Sequence, residues 1–226
     1  MRLARCAECS LARCEEAPLE SLDKSLLPKE CPIITHSQVV KTAIKRYKED
    51  AVKRLYISAT IAEKEAYEQV RGVVMGVRPR VKELIEFAKH LDFNRIGVAF
   101  CAGLRDEASR LVKFLQGQGF TVASAVCKCG AVDKTKLGVD KKHKIGDSEA
   151  FESACNPILQ AALLNDAEVE MNVIVGLCIG HDMLFTMNSK APVTTLVVKD
   201  RVLGHNPVMA LYSAYHKKPI RSQRRV

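Results

Sequence analysis

Three cysteines in the second half of the chain each close a short apolar run that reads as a buried strand: Cys101 after residues 95–100, Cys127 after 120–126 and Cys178 after 171–177. Helical patterns follow the first and third runs directly, so the strands should lie parallel. Ligands of parallel sheets bind outside the carboxyl ends of the strands. A fourth thiol, Cys155, directly precedes Asn156-Pro157, an N-cap and first-turn signature that opens a helix over 158–164 on the same edge. Four converging thiols, Cys101, Cys127, Cys155 and Cys178, are the donor set of a metal centre, most naturally a [4Fe–4S] cluster. A lone strand-end cysteine is usually an inert buried thiol, but three strand ends and a helix start together are hard to explain that way.

A second group lies at the N-terminus: Cys6-Ala7-Glu8-Cys9, then Cys14, then Cys31-Pro32. The Cys6/Cys9 turn supplies the close pair that a metal needs when the other ligands come from longer loops. The distal half lacks the second Cys-x-x-Cys of a zinc ribbon, and the gaps are not those of a bacterial ferredoxin, although Cys31-Pro32 echoes its closing dipeptide. The expectation is a metal at Cys6, Cys9, Cys14 and Cys31, a [4Fe–4S] cluster with zinc as the alternative.

Around the strand edge, Cys129 should point away from Cys127 if the strand continues through both, which leaves Cys127 as the ligand. Cys178 opens the turn Cys178-Ile179-Gly180-His181-Asp182, and a similar turn, Gly204-His205-Asn206-Pro207, follows the last strand. His181 and His205 are therefore the candidates for proton transfer at this edge. A hydrolytic pairing of Cys178 with His181 and Asp182 has suitable residue types but leaves the other cysteines unexplained. Disulfides would need an oxidising compartment, and residues 1–18 show no apolar export segment, so a cytoplasmic protein with free thiols is expected.

The elements that must position these residues follow from the rest of the pattern. With 226 residues, 47% of them hydrophobic, the chain can bury a full core without disulfides. The expected class is α/β: a four-stranded, mostly parallel, doubly wound sheet preceded by a helical segment and an N-terminal cysteine-rich metal-binding segment. The expected divisions are 1–35 (cysteine-rich), 36–92 (helices over 39–49, 51–72 and 80–90, packed on the core), 93–216 (the α/β domain, with its last strand at 194–198) and a basic tail at 217–226. No G-x-G-x-x-G supports dinucleotide binding, and no apolar stretch is long enough to cross a membrane. The net charge of +9, concentrated in 134–144 and the tail, suits a small anionic substrate, an acidic redox partner or nucleic acid. The 134–144 segment has the length and charge of a lid. Five per cent aromatic residues and no Trp argue against single-strand binding by base stacking.

The segments 154–161, 172–184, 189–201 and His205-Asn206-Pro207 together resemble a cysteine-rich family of unknown function found in anaerobic bacteria and archaea, the domain of unknown function 1847 family. The resemblance runs over nearly the whole chain. It implies metal binding by the cysteines and carries no reaction or substrate. The family pattern at Cys127-Lys128-Cys129-Gly130 has a single cysteine, Cys-Lys-x-Gly, which sets Cys129 apart from the ligands. Two roles stay open: redox or electron transfer by a closed cluster, or chemistry on a small molecule at an open iron. The rival is a zinc-stapled module that binds nucleic acid or an acidic protein.

Overall fold

The computed structural model describes residues 3–11, 13–213 and 215. The expected basic tail at 217–226 lies outside them. The chain divides into two units, Met1–Ile61 and Ala62–Val226.

The first unit holds short turns of 3-10 helix at Cys6–Glu8, Arg13–Glu15 and Lys24–Leu26, then α1 (Pro32–Thr35) and α2 (Ser37–Arg46), and most of α3 (Asp50–Glu65). Cys31 stands at the N-cap of α1, with Pro32 at its first position, where proline's missing N–H costs nothing. α2 ends three residues before the expected 49, and its N-cap is His36.

The second unit opens with an element that replaces the end of the expected helix over 51–72. Strands β1 (Tyr67–Val70) and β2 (Val73–Gly76) form an antiparallel hairpin. Its two-residue loop is Arg71-Gly72, with φ of 52° and 81°. Two consecutive positive φ values give the turn whose twist matches a hairpin, and glycine adopts the second at no steric cost. The apolar spacing through Ala66 and Val70 fits a helix, but the β-branched residues on both sides of Arg71-Gly72 favour paired strands.

Next come α4 (Arg80–His90), β3 (Arg95–Phe100), α5 (Arg105–Gly117), β4 (Thr121–Val126), α6 (Pro157–Asp166), β5 (Met171–Val175), α7 (His181–Asn188), β6 (Val193–Val197) and a single turn, α8 (Met209–Tyr212). The sheet is four-stranded and parallel throughout, in the order β4-β3-β5-β6. Alternation along the strands divides the core. Ile96, Val98 and Phe100 of β3 and Val173 and Val175 of β5 pack with Leu84, Ile85 and Ala88 of α4 and with Ala108, Leu111 and Leu115 of α5. Ala99, Ala125 and Ile174 face the other way, onto Ala161 and Leu164 of α6 and Phe185 of α7. Helices therefore cover both faces, and the sheet is doubly wound.

The face under α6 is built from small residues, and one contact shows how little room it has. A Cβ on Gly97 would lie 1.9 Å from Asn172 Oδ1. α6 itself starts as its residues dictate: the Asn156 side chain accepts from the Leu159 N–H at 3.0 Å, and Pro157 occupies the first turn. Asn156→Ala should cost about 1 kcal/mol, the usual value of such a cap, in urea-monitored unfolding.

Candidate functional site

Strand parity places the strand-edge cysteines. Cys101 continues β3 in phase with Ala99, and Cys127 continues β4 in phase with Ala125, so both fall on the α6 face. β3 and β4 are in register to their last pair, Phe100 with Val126, which sets the two cysteines side by side. Their junction is closed by the Cys127 N–H donating to Phe100 O at 2.8 Å and by the Ala102 N–H donating to Cys127 Sγ at 3.3 Å. α6 brings in Cys155: the Asn156 N–H donates to Cys127 O at 2.8 Å, and the Cys127 and Cys155 side chains are hydrogen-bonded to each other. Beneath them lies Gln160, fully buried, whose Nε2 donates to Phe100 O at 3.3 Å and to Ala125 O at 2.7 Å.

The electrostatics of this group split its closest pair of thiols, Cys155 downward and Cys127 upward. The Cys127 thiol donates to Cys155 sulfur, Lys128 stands beside it, and the His181 ring contributes positive charge; together they bring the Cys155 thiol down to about 5. Cys127, which keeps the shared proton and is itself largely buried, is pushed far up. Cys101 Sγ receives the Lys199 ammonium at 3.3 Å, and Cys178 Sγ receives Arg201 Nη2 at 2.8 Å. Cys129 sits apart in the turn after β4, its N–H bonded to Val126 O, and burial pushes its thiol up.

The two histidines differ. His181 is the first residue of α7, its N–H bonded to Cys178 O at 2.9 Å, and its ring Nδ1 is buried with no hydrogen-bond partner. Gln160 Oε1 and Ser153 Oγ, on the segment that carries Cys155, are likewise buried without a partner. Buried polar atoms are normally satisfied, so orphans on both sides of Cys155 fit a site completed by a further group. His205 instead closes its own turn. Its Nδ1 accepts from the Asp200 N–H at 3.1 Å and its N–H donates to Asp200 O at 3.0 Å, so its hydrogen bonds go to Asp200 and not to a sulfur.

In the first unit, Cys6, Cys9, Cys14 and Cys31 all line one cavity of about 740 Å³, shared with Arg5, Leu11 and Pro28. The Cys9 N–H donates to Cys6 O at 3.2 Å, the tight turn that the spacing implied. Among the described residues, no three His, Cys, Asp or Glu side chains stand at the spacing of a single bound ion.

The segment 134–144 is braced rather than lid-like. Asp133 accepts from the N–H groups of Thr135 and Glu152 and pairs with Lys144 at 3.1 Å, which holds its carboxyl well below the ordinary range. Lys134 pairs with Glu152, Lys141 with Glu149 and Lys142 with Asp140. Much of the loop's positive charge is thus balanced locally. The length and charge of the segment were visible in the sequence; the acidic partners at Asp133, Glu149 and Glu152 become its partners only once the chain folds back.

Lys199 and Arg201 are the site residues that sequence reasoning missed. The available signal was a pair of cations straddling Asp200 just after a strand. None of the described helices is long and apolar enough to cross a membrane.

No solved structure matches the chain. Among curated proteins, an uncharacterized protein of Methanocaldococcus jannaschii, MJ0455, is 46% identical over 160 residues, which span 71% of this chain and 79% of the relative. The model of the family described as protein of unknown function (DUF1847) matches residues 31–196. Cys6, Cys9 and Cys14 precede that stretch; Cys31, the four strand-edge cysteines and His181 fall within it, and with this match the chain belongs to the DUF1847 family.

Proposed function

We propose that this protein is a cytoplasmic, cysteine-ligated metalloprotein with an iron–sulfur centre at the sheet edge, held by Cys101, Cys127, Cys155 and Cys178. The observation that carries this reading is that each of these sulfurs meets a hydrogen-bond donor or a cation: Lys199 at Cys101, the Ala102 N–H at Cys127, Lys128 and His181 at Cys155, Arg201 at Cys178. At Cys155 they favour the thiolate, the form that binds metal, and the proton that Cys127 keeps would leave when metal binds. A tetrahedral zinc ion would draw its sulfurs to roughly 3.8 Å of one another, given Zn–S bonds of about 2.3 Å. A cluster takes one thiolate per iron, and so suits sulfurs mounted on two strand ends, on the turn three residues past β5 and at a helix start. When bound, a closed cluster would supply one-electron transfer and one with an open iron Lewis-acid chemistry. The chain's own part is to fix the sulfurs on strand ends, cover one side with α6, and keep His181 beside Cys155 where it can hold a proton. The N-terminal cavity, lined by Cys6, Cys9, Cys14 and Cys31, is a second cysteine-bound metal site that staples a segment with almost no core of its own.

The test is anaerobic isolation with iron, acid-labile sulfide and zinc analysis, followed by absorption and EPR spectra with and without dithionite. Iron and sulfide in equal amounts, with a dithionite-sensitive spectrum, are expected. Cys178→Ser should remove the sheet-edge metal while the N-terminal metal stays, and Cys6→Ser should do the reverse. Protein that stays colourless and iron-free after reconstitution would sink the reading, and loss of all metal from either variant would replace two sites by one.

A further inference from the structure

We propose that Lys199 and Arg201 form a clamp for a small dianion, one bearing carboxylate or phosphate oxygens, across the crevice between β3 and β5. The strand order β4-β3-β5-β6 reverses direction at the β3/β5 boundary: the chain leaves β3 for β4 on one side and returns to β5 on the other. In doubly wound sheets, the crevice outside the carboxyl ends at this reversal is where ligands bind. Cys101 ends β3 on one side of it, and Cys178 follows β5 on the other.

The two cations reach that crevice from β6 because Asp200 is tied down between them. Its Oδ1 accepts the N–H groups of Val202 at 2.9 Å and Leu203 at 2.8 Å, and its own N–H is held by the His205 ring. Lys199 then extends past two glycines. A Cβ on Gly176 would lie 3.6 Å from Lys199 Cδ, and one on Gly103 would lie 3.3 Å from Lys199 Nζ. Among the described residues, neither cation has a carboxylate within ion-pair distance; the side-chain partner of each is a cysteine sulfur. Each sulfur takes one donor, whereas a guanidinium has five and an ammonium three. An oxyanion entering from solvent, where Arg201 is exposed, would gain charge-assisted hydrogen bonds that the sulfurs do not supply. The clamp does not depend on the sulfurs holding a metal.

Titration calorimetry of the full chain with inorganic phosphate, malonate and succinate tests this, at constant ionic strength, on metal-free and reconstituted protein whose iron is measured in parallel. Saturable one-to-one binding is expected, weakened about tenfold or more by Lys199→Met and by Arg201→Met, each of which removes a charge-assisted contact. Arg201→Lys should retain part of the affinity, and Lys142→Met, on the braced loop, all of it. Preference for phosphate would identify a phosphoryl ligand, and preference for a dicarboxylate a carboxylic one. A measurement on unmodified protein covers the case of a variant that fails to fold: phosphate should shield Arg201 from phenylglyoxal, read by peptide mapping. Binding of none of the three anions, binding unchanged by both substitutions, or an unshielded Arg201 would overturn the clamp. The parallel iron analysis keeps a failed metal reading separate from a failed clamp.

Discussion

In metal-free protein, Cys155 should be the fastest thiol toward an aromatic disulfide reagent at mildly acidic pH, by roughly 40-fold over an ordinary exposed cysteine at about pH 5.5. A thiol brought down to about 5 is mostly thiolate there, while one at the ordinary value of 9.0 is ionised to only about 0.03%. That is a gain of over three orders of magnitude in thiolate. A less basic thiolate is also a poorer nucleophile, which returns roughly 60-fold of the gain with a Brønsted coefficient near 0.45. At pH 7 the two effects nearly cancel, so the experiment has to be run in acid. Rate against pH, with the labelled peptide identified, should rise through about pH 5 and then level. Cys127→Ala removes the largest contribution, the hydrogen bond from the neighbouring thiol, and should move that midpoint upward; Lys128→Met should move it the same way by less. A wild-type profile that rises only above about pH 8 would refute the assignment.

Phe185→Ala should cost about 3–5 kcal/mol, the range for removing a fully buried ring. Phe185 is the one buried residue of the eight-residue α7, and four of the ten buried residues in its cluster are alanines: Ala99, Ala125, Ala161 and Ala191. Close-packed side chains cannot shift into a hole of that size, and alanines have nothing to extend. The loss should appear as a lower urea midpoint, with amide exchange in α7 accelerated beyond the rest of the sheet. A cost below about 1 kcal/mol would mean that α7 is held from elsewhere. Because α7 begins at His181, the same variant loosens the imidazole beside Cys155.

Much of this arrangement was legible in the sequence because it is local. The apolar runs ending in Cys101, Cys127 and Cys178 specify strands, and Asn156-Pro157 specifies the start of α6; a parallel sheet then brings Cys155 to the same edge. The hairpin at Tyr67–Gly76 was missed because Ala66 and Val70 satisfy a helical spacing that Arg71-Gly72 interrupts only through backbone conformation. Lys199 and Arg201 were missed for a different reason. Their meaning depends on β6 being two strands from β3 and on Gly103 leaving room for the Lys199 ammonium, neither of which can be seen around residue 200 itself. His205 matched His181 in its local Gly-His pattern and was separated from it only by what its ring touches.

Gln160 has a consequence for timing. Its amide joins α6 to the carbonyls of Phe100 and Ala125, one residue before Cys101 and two before Cys127, while the Asn156 N–H joins the start of α6 to Cys127 itself. Three sulfurs are therefore carried on one stiff body, and none can swing away while the others stay. A bound group would have no half-released form of low energy. Its departure, followed after adding a chelator, would be a single exponential without a shoulder, and its rate would report on the loosening of the α6 start rather than on any one sulfur.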